Sequence, residues 1–533
     1  MKALRHVLLS FDGRNALGSF VIPAQAGIHK ETADKNPKKW IPACAGMTND
    51  QGQPTSKTCT LRRLALTVLL AAVLLPLPCA MAQKLPPLPK DLPPYGPVVP
   101  FRTPNVTVSK LPNGLTVWRV PRPGFPKVAL TLAVRGGRAY DPKDQPGLSD
   151  LLMAVMDQGT KTRSARQIAE AFAAAGGDLS GDLRPDALLS SVQALSDKVD
   201  GALMVLADIA ENATFPDDEV ALAKTDALQN LEAQEAEPTF LAQRALAKAL
   251  YGDHGYAVIS ATADAINKTT AGDLRAAYHQ RFRPDQSLLV AVGDFDPNVL
   301  EAAIEKDFGG WSAPSEPPLP EPPRPAGNNQ HAIFLVPRAG SVQTSLWLGA
   351  FGPRRGDPDY AATQVANAIY AGMFGSRLIR NIREDKGYTY SPGGSIQLRA
   401  QAGALLTRAD VRNAVTGPSL NEIFYEMNRM ATTDPSADEV TRAQRYLVGT
   451  NAIFLQIQSA VGSELGWLWV YGLRPEALGQ ESANIQKATA EDVAAAGRKY
   501  LPASRQTVVA VGEESVVRGQ LGVFGLPIEV VPK

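Results

Sequence analysis

The chain repeats itself. Ile266-Asn267-Lys268-Thr269-Thr270-Ala271-Gly272-Asp273 matches Ile485-Gln486-Lys487-Ala488-Thr489-Ala490-Glu491-Asp492, and Val290-Ala291-Val292-Gly293 matches Val509-Ala510-Val511-Gly512. Asp273 is as far from Asp492 as Gly293 is from Gly512, so the copies keep register between the two matches. Asp218-Glu219-Val220 and Asp438-Glu439-Val440 extend the correspondence with a slip of one residue. Chance does not preserve register over that distance, and a repeat this long is one domain used twice. The 533 residues also exceed what one hydrophobic core ordinarily serves.

Composition sets the ends and the boundaries. Val21-Ile22-Pro23-Ala24-Gln25-Ala26-Gly27-Ile28 and Trp40-Ile41-Pro42-Ala43-Cys44-Ala45-Gly46-Met47 are near-copies without helical or strand period. They resemble a translated bacterial intergenic repeat, so residues 1–46 are expected to be a mis-called start and Met47 the true one. Residues 47–82 read as a signal peptide: Arg62-Arg63, an apolar run from Leu64 to Leu77, and Ala80-Met81-Ala82 as the cleavage site. The run is short for a membrane span, so an exported, periplasmic protein with no span after cleavage near Ala82 is expected. Cys79 offers a lipid anchor as the alternative, but Pro76 and Pro78 spoil the small-residue context for it. All three cysteines (Cys44, Cys59, Cys79) precede Gln83, which leaves no disulfide or thiol ligand beyond it. With 54 Lys and Arg against 53 Asp and Glu and no basic cluster, nucleic acid is not expected as a partner.

Residues 83–105 form a Pro-rich tether and 313–329 a second Pro-rich stretch, a stiff linker between the copies. The copies therefore fall at 106–312 and 330–533. Val128, Leu130, Leu132 and Val134 alternate with smaller or polar residues, the pattern of a half-buried strand. Ser164 caps a helix with Gln167 three residues on, Ile168 and Phe172 share a face, and Gly176-Gly177 ends it. Ser287 to Val292 and Val342 to Ala350 are apolar strands. Such strands mixed with amphipathic helices predict an α+β layer fold, a sheet covered by helices on one side.

Two stretches carry chemistry. The first is Gly147-Leu148-Ser149-Asp150-Leu151-Leu152-Met153-Ala154-Val155-Met156; the second is Gly375-Ser376-Arg377-Leu378-Ile379-Arg380-Asn381-Ile382-Arg383-Glu384-Asp385-Lys386-Gly387-Tyr388-Thr389-Tyr390. They resemble the two signatures of the insulinase (pitrilysin-type) zinc peptidases, G-L-x-H-x-x-E-H-M and G-S-R-L-x-x-x-I-R-E-x-x-G-x-x-Y. The resemblance runs from about Val106 to Val531. It implies two homologous domains, each an antiparallel-rich sheet backed by helices, joined as a clamshell.

In the first stretch Asp150, Met153 and Ala154 stand where the family has His, Glu and His. A later stretch, Phe215-Pro216-Asp217-Asp218-Glu219, resembles the family's F-P-x-x-E opening. Counting from it puts Asn230 at the third ligand and Ala223 at its supporting carboxylate. Zinc needs imidazole or carboxylate ligands, and hydrolysis needs a carboxylate base. Met153 and Ala154 supply neither, so no cofactor is expected in this chain. His254, His279 and His331 share no helix face at a metal spacing. His254 and its loop read as structural and His279 as a partly exposed helix position. Asp150 alone reads as a helix-terminal charge, and no nucleophile elbow appears.

The second stretch is nearly intact. By the resemblance, Arg383 and Tyr390 are the pair that meets substrate across the cavity from the metal. A tyrosine hydroxyl suits the charge that develops on a peptide carbonyl, and an arginine fork suits the peptide backbone. The bland alternative places Arg383 on a solvated helix end and packs Tyr390 at a strand start. Gly387 is expected to end the helix and release a strand carrying Tyr390, while Arg377 anchors the helix. Some bacterial members are paired subunits, one holding zinc and the other giving Arg and Tyr. The resemblance therefore implies a non-catalytic subunit, inactive alone, with a zinc-bearing paralogous subunit and a peptide substrate as partners. A metal-free peptide-binding or scaffold protein is the alternative, and an active peptidase with an unusual metal site is the third possibility.

Overall fold

The computed structural model describes Gly96 and residues 104–327 and 330–532. The expected mis-called start, the signal peptide and nearly all of the tether lie outside the described residues.

In the first copy, β1 (Thr107–Lys110), β2 (Thr116–Pro121) and β3 (Lys127–Arg135) lead to α1 (Leu148–Val155) and α2 (Ala165–Ala174). Next come β4 (Leu179–Leu183), β5 (Ala187–Leu195), α3 (Val199–Asn212), α4 (Asp217–Glu235) and α5 (Pro238–Tyr251). α6 (Ala263–Lys268), α7 (Ala271–Arg281), β6 (Ser287–Gly293) and α8 (Pro297–Phe308) complete it. The second copy opens with β7 (Ile333–Pro337), β8 (Gln343–Gly352) and α9 (Tyr360–Asn367), followed by π-helical turns at Ala368–Gly372 and Ile379–Asp385. β9 (Gly393–Leu398), β10 (Gly403–Arg412), α10 (Thr416–Thr432), α11 (Ala437–Phe454) and α12 (Gln458–Val470) follow. α13 (Ala477–Lys487), α14 (Ala490–Tyr500), β11 (Thr507–Gly512), α15 (Glu514–Gly522) and β12 (Ile528–Val530) close the chain.

Each copy builds a six-stranded sheet, ordered β1-β2-β6-β3-β5-β4 and β12-β7-β11-β8-β10-β9. Five strands correspond one to one, with β2, β3, β4, β5 and β6 answering to β7, β8, β9, β10 and β11. The sixth does not. β1 pairs antiparallel with β2, whereas β12 comes from the C-terminal end and pairs parallel with β7. The repeats seen in the sequence fall on a capped helix start and a central strand. Thr270 with Asp273 and Thr489 with Asp492 form matching capping boxes at α7 and α14, and each following strand is buried throughout.

Helices cover both faces of each sheet, a departure from the one-sided layer expected from the sequence. α1, α3, α7 and α8 supply the first copy's helical layer, whose core includes Leu289 and Ala291 of β6. Leu288, Val290 and Val292, pointing the other way, pack with Val461, Leu465 and Leu468 of α12, a helix of the second copy. The exchange is reciprocal. Leu246 and Leu250 of α5, from the first copy, pack with Val336, Trp347 and Val509 on the second sheet. β3 is therefore buried through its middle rather than half-buried. Its outer face carries small residues because α12 sits close, and a Cβ on Gly462 would lie 2.9 Å from Thr131 Oγ1.

Candidate functional site

α1 begins where the chain is forced to turn. Gly147 sits at φ 83°, and a Cβ there would fall 2.3 Å from Ala261 Cα, so no larger residue fits. Asp141 caps α1 from outside, accepting from Gly147 N at 3.0 Å and Ser149 Oγ at 2.6 Å. Arg281 of α7 donates to Asp141 at 2.9 Å and to Ser149 Oγ at 2.6 Å. The Arg281 and Asp141 side chains are 2% and 1% exposed, a fully desolvated pair.

Asp150 does not point into an open site. Arg138 clasps it with Nε 3.0 Å from each carboxylate oxygen and Nη2 2.7 Å from Oδ1. Burial opposes the Arg138 charge, but Asp150, Asp141 and Asp182 together outweigh it and push the guanidinium pKa above its ordinary value. Met153 packs toward β4, where a Cβ on Gly181 would meet its sulfur at 2.8 Å. A thioether plug thus occupies the position where a base would stand. Ala154 is exposed on α1, and Asn230 is exposed on α4, which packs against α1. The helix pair that would carry zinc ligands is kept. The donors are not: one salt-bridged carboxylate, a thioether, a methyl and an amide do not fit zinc. Among the described residues, no group of three or more His, Cys, Asp or Glu is arranged to hold a metal.

His254 and His331 have structural partners. His254 Nδ1 accepts from Tyr256 N at 3.0 Å, and Nε2 lies 2.8 Å from Pro323 O, tying the first copy to the Pro-rich connection. His279 is exposed on α7, and His331 Nδ1 lies 3.1 Å from Gln506 O.

In the second copy the structure brings Arg383 and Tyr390 together. The Arg383 guanidinium lies 4.6 Å from the Tyr390 ring centroid and 4.9 Å from that of Phe374. Its ion pair runs from Nε to Glu384 at 3.2 Å, which leaves the two terminal nitrogens for other acceptors. Tyr390 is 73% exposed, so it does not pack at a strand start. Nor does it ride on a strand, as the sequence suggests: β9 begins only at Gly393, and Tyr390 stands in the loop before it. The physical reason is the end of the preceding turn. Gly387, at φ 60°, donates to Arg383 O at 3.2 Å, and Tyr388 N donates to Ile382 O at 2.8 Å. This is an αL glycine closure at the end of a π-helical turn, and it delays the extended backbone.

Arg377 anchors the same segment. It is 8% exposed and grips Glu439 of α11, with Nε 2.7 Å from Oε1 and Nη2 3.0 Å from Oε2. That contact, helped by Ser436 at the helix cap, holds the Glu439 carboxyl at about 2, well below the usual range. Sequence reasoning misses Phe374 because it lies one residue ahead of the recognised stretch. No periodic pattern marks it, and only its exposure in the fold does.

Comparison with known proteins agrees with this geometry. Residues 120–262 match the profile described as insulinase (peptidase family M16), and residues 268–447 match that of the peptidase M16 inactive domain. Together they span most of the two copies. The chain belongs to the insulinase, or M16, peptidase family. An uncharacterized zinc protease of Rickettsia felis is 26% identical over 68% of this chain and 86% of its own length. One of Bacillus subtilis is 27% identical over 52% of this chain and 67% of its own. The M16 inactive domain solved from Pseudomonas fluorescens superposes with a TM-score of 0.72 at 28% identity, covering 76% of this chain and 98% of that one. A protease from Helicobacter pylori, at 16% identity and a TM-score of 0.73, shares the fold. Within the M16 family, this chain is a member whose own metal motif is lost. Among the described residues, no helix is long and apolar enough to cross a membrane.

Proposed function

We propose that this chain is the exported, non-catalytic subunit of a two-chain M16 peptidase, lending Arg383 and Tyr390 to a zinc-bearing paralogous partner. The observation that carries the reading is the asymmetry between its two halves. Asp150 is neutralised by Arg138 and Met153 is packed against β4, whereas Arg383 and Tyr390 stay assembled, with the tyrosine open to solvent. The terminal nitrogens of Arg383 suit a substrate peptide's carbonyl oxygen, fixing the scissile bond's position. The Tyr390 hydroxyl suits the oxygen on which negative charge grows during hydrolysis, where a donor counts most. Zinc and the base belong to the partner. Residues 47–82 would direct the chain to the periplasm. A scaffold without a role in turnover would have no need of an arginine held against an exposed tyrosine.

The test uses the full processed chain, alone and co-purified with a zinc-bearing M16 relative from the same organism. Alone, it should hold no stoichiometric zinc and cleave no peptide. In the complex, Tyr390→Phe should leave assembly and zinc content unchanged and slow turnover about 10- to 1,000-fold. Arg383→Ala should raise KM as well as lower kcat. One equivalent of zinc in the lone chain with chelator-sensitive cleavage would overturn the reading. So would a complex in which both variants cleave like wild type, and the metal-free scaffold would then stand.

A further inference from the structure

We infer that Phe374 is a specificity-determining residue, a platform for an apolar or aromatic side chain of the peptide whose carbonyl Arg383 holds. The inference rests on the reading above and adds the class of sequence that the half-site prefers. Phe374 is 69% exposed, although the neighbouring Met373 and Ser376 are buried in the same turn. A Cβ placed on the adjacent Gly375 would meet nothing within 4 Å, so the turn leaves open space beside the ring. The ring contacts the Arg383 guanidinium, as does the ring of Tyr390. The guanidinium carbon lies over each ring and the ion pair to Glu384 uses Nε, so the N–H donors of the two terminal nitrogens are not taken by the ion pair. A peptide carbonyl can therefore dock on the edge of Arg383 with both rings in place.

Side chains flanking that carbonyl in an extended peptide then fall within reach of rings that are otherwise in water. Burying an apolar side chain against such a ring favours it over a polar one by about 10-fold or more, the scale on which an apolar pocket distinguishes side chains. A charged side chain gains no such contact. Phe374 makes the preference and Arg383 makes the general affinity, so the two contributions separate by mutation.

The experiment measures fluorescence anisotropy of two labelled twelve-residue peptides, identical except for a central phenylalanine or serine, against the full processed chain. Wild type should bind the phenylalanine peptide about 10-fold more tightly. Phe374→Ala should abolish that preference while changing affinity for the serine peptide less than about twofold, and Phe374→Leu should keep part of it. Arg383→Gln should weaken both peptides and leave their ratio intact. Unchanged thermal melts for the Phe374 variants are expected from its exposure and confirm that folding is not the cause. If the preference survives Phe374→Ala, or if that variant weakens both peptides alike, the platform is disproved while the half-site reading stands. If wild type binds neither peptide, alone or with its partner, the half-site reading fails and takes this inference with it.

Discussion

Removing Arg377 should loosen the segment that presents Arg383, and the size of the effect follows from its carboxylate partner. Glu439 has a folded pKa of about 2 against 4.5 for the free side chain. Each unit of such a difference corresponds to about 1.4 kcal/mol, but Ser436 supplies part of it and the carboxylate is partly solvated, so the share belonging to Arg377 is about 2 kcal/mol. We therefore expect Arg377→Met to destabilise the protein by that amount at neutral pH, lowering the melting temperature by a few degrees, about 2–4 °C for a unit of this size. The sign with pH is fixed. A depressed carboxyl pKa stabilises the fold fully above the unfolded value of 4.5, and the contribution drains away as pH falls toward 2. The gap between wild type and Arg377→Met should accordingly close across that window. Urea unfolding at several pH values provides the assay. Glu439→Gln completes the cycle, because glutamine preserves the capping box while removing the charge. A pH-independent gap, or a coupling energy near zero in the double variant, would refute the assignment of Arg377 as the anchor.

Asp150→His should not create activity, since Met153, Ala154 and Asn230 still offer no base or further ligand; it should instead lower stability by leaving Arg138 unpaired, read out by zinc analysis and thermal melting. Arg281→Met should be the most damaging of these single changes, at about 3–5 kcal/mol in urea unfolding, because Asp141 would be left buried and charged. Glu211 is half-buried beside Asp208 and Asp307, and burial first, then those charges, raise its carboxyl to about 7. A raised folded pKa favours the fold below the unfolded value of 4.5 and loses that contribution as pH climbs toward 7, so Glu211→Gln should flatten the decline in stability between those values.

The duplication, the central strands and the helix caps are legible because each is written locally. Thr270 with Asp273 and Ser164 with Gln167 announce their own hydrogen bonds, and β6 is a continuous apolar run because both of its faces are covered. What escapes depends on distant partners. Nothing in the apolar stripe of α12 says which sheet it will cover, and the alternation in β3 reflects a close-packed Gly462 rather than solvent. The candidate site divides in the same way. Arg383 and Tyr390 are found from spacing, but the clasp of Arg138 on Asp150 joins a short turn to a helix and has no sequence signature. Tyr390 falls off its expected strand because the π-helical turn that Gly387 closes runs into a loop before β9, a length that a glycine symbol alone does not tell.

The exchange of α5 and α12 means that the Pro-rich connection is not what keeps the two copies together. A protease cut at 313–329 would sever the covalent path, yet each piece would still hold a helix whose apolar face is completed only by the other's sheet. The nicked protein should therefore migrate as a single particle under native conditions and separate only on unfolding. A gene fragment encoding one copy would yield a sheet with a bare apolar face and a helix with no seat, a poor candidate for an independently stable domain. The duplicated chain is in this sense an interlocked dimer that happens to be continuous, and the unit on which selection acts is the pair.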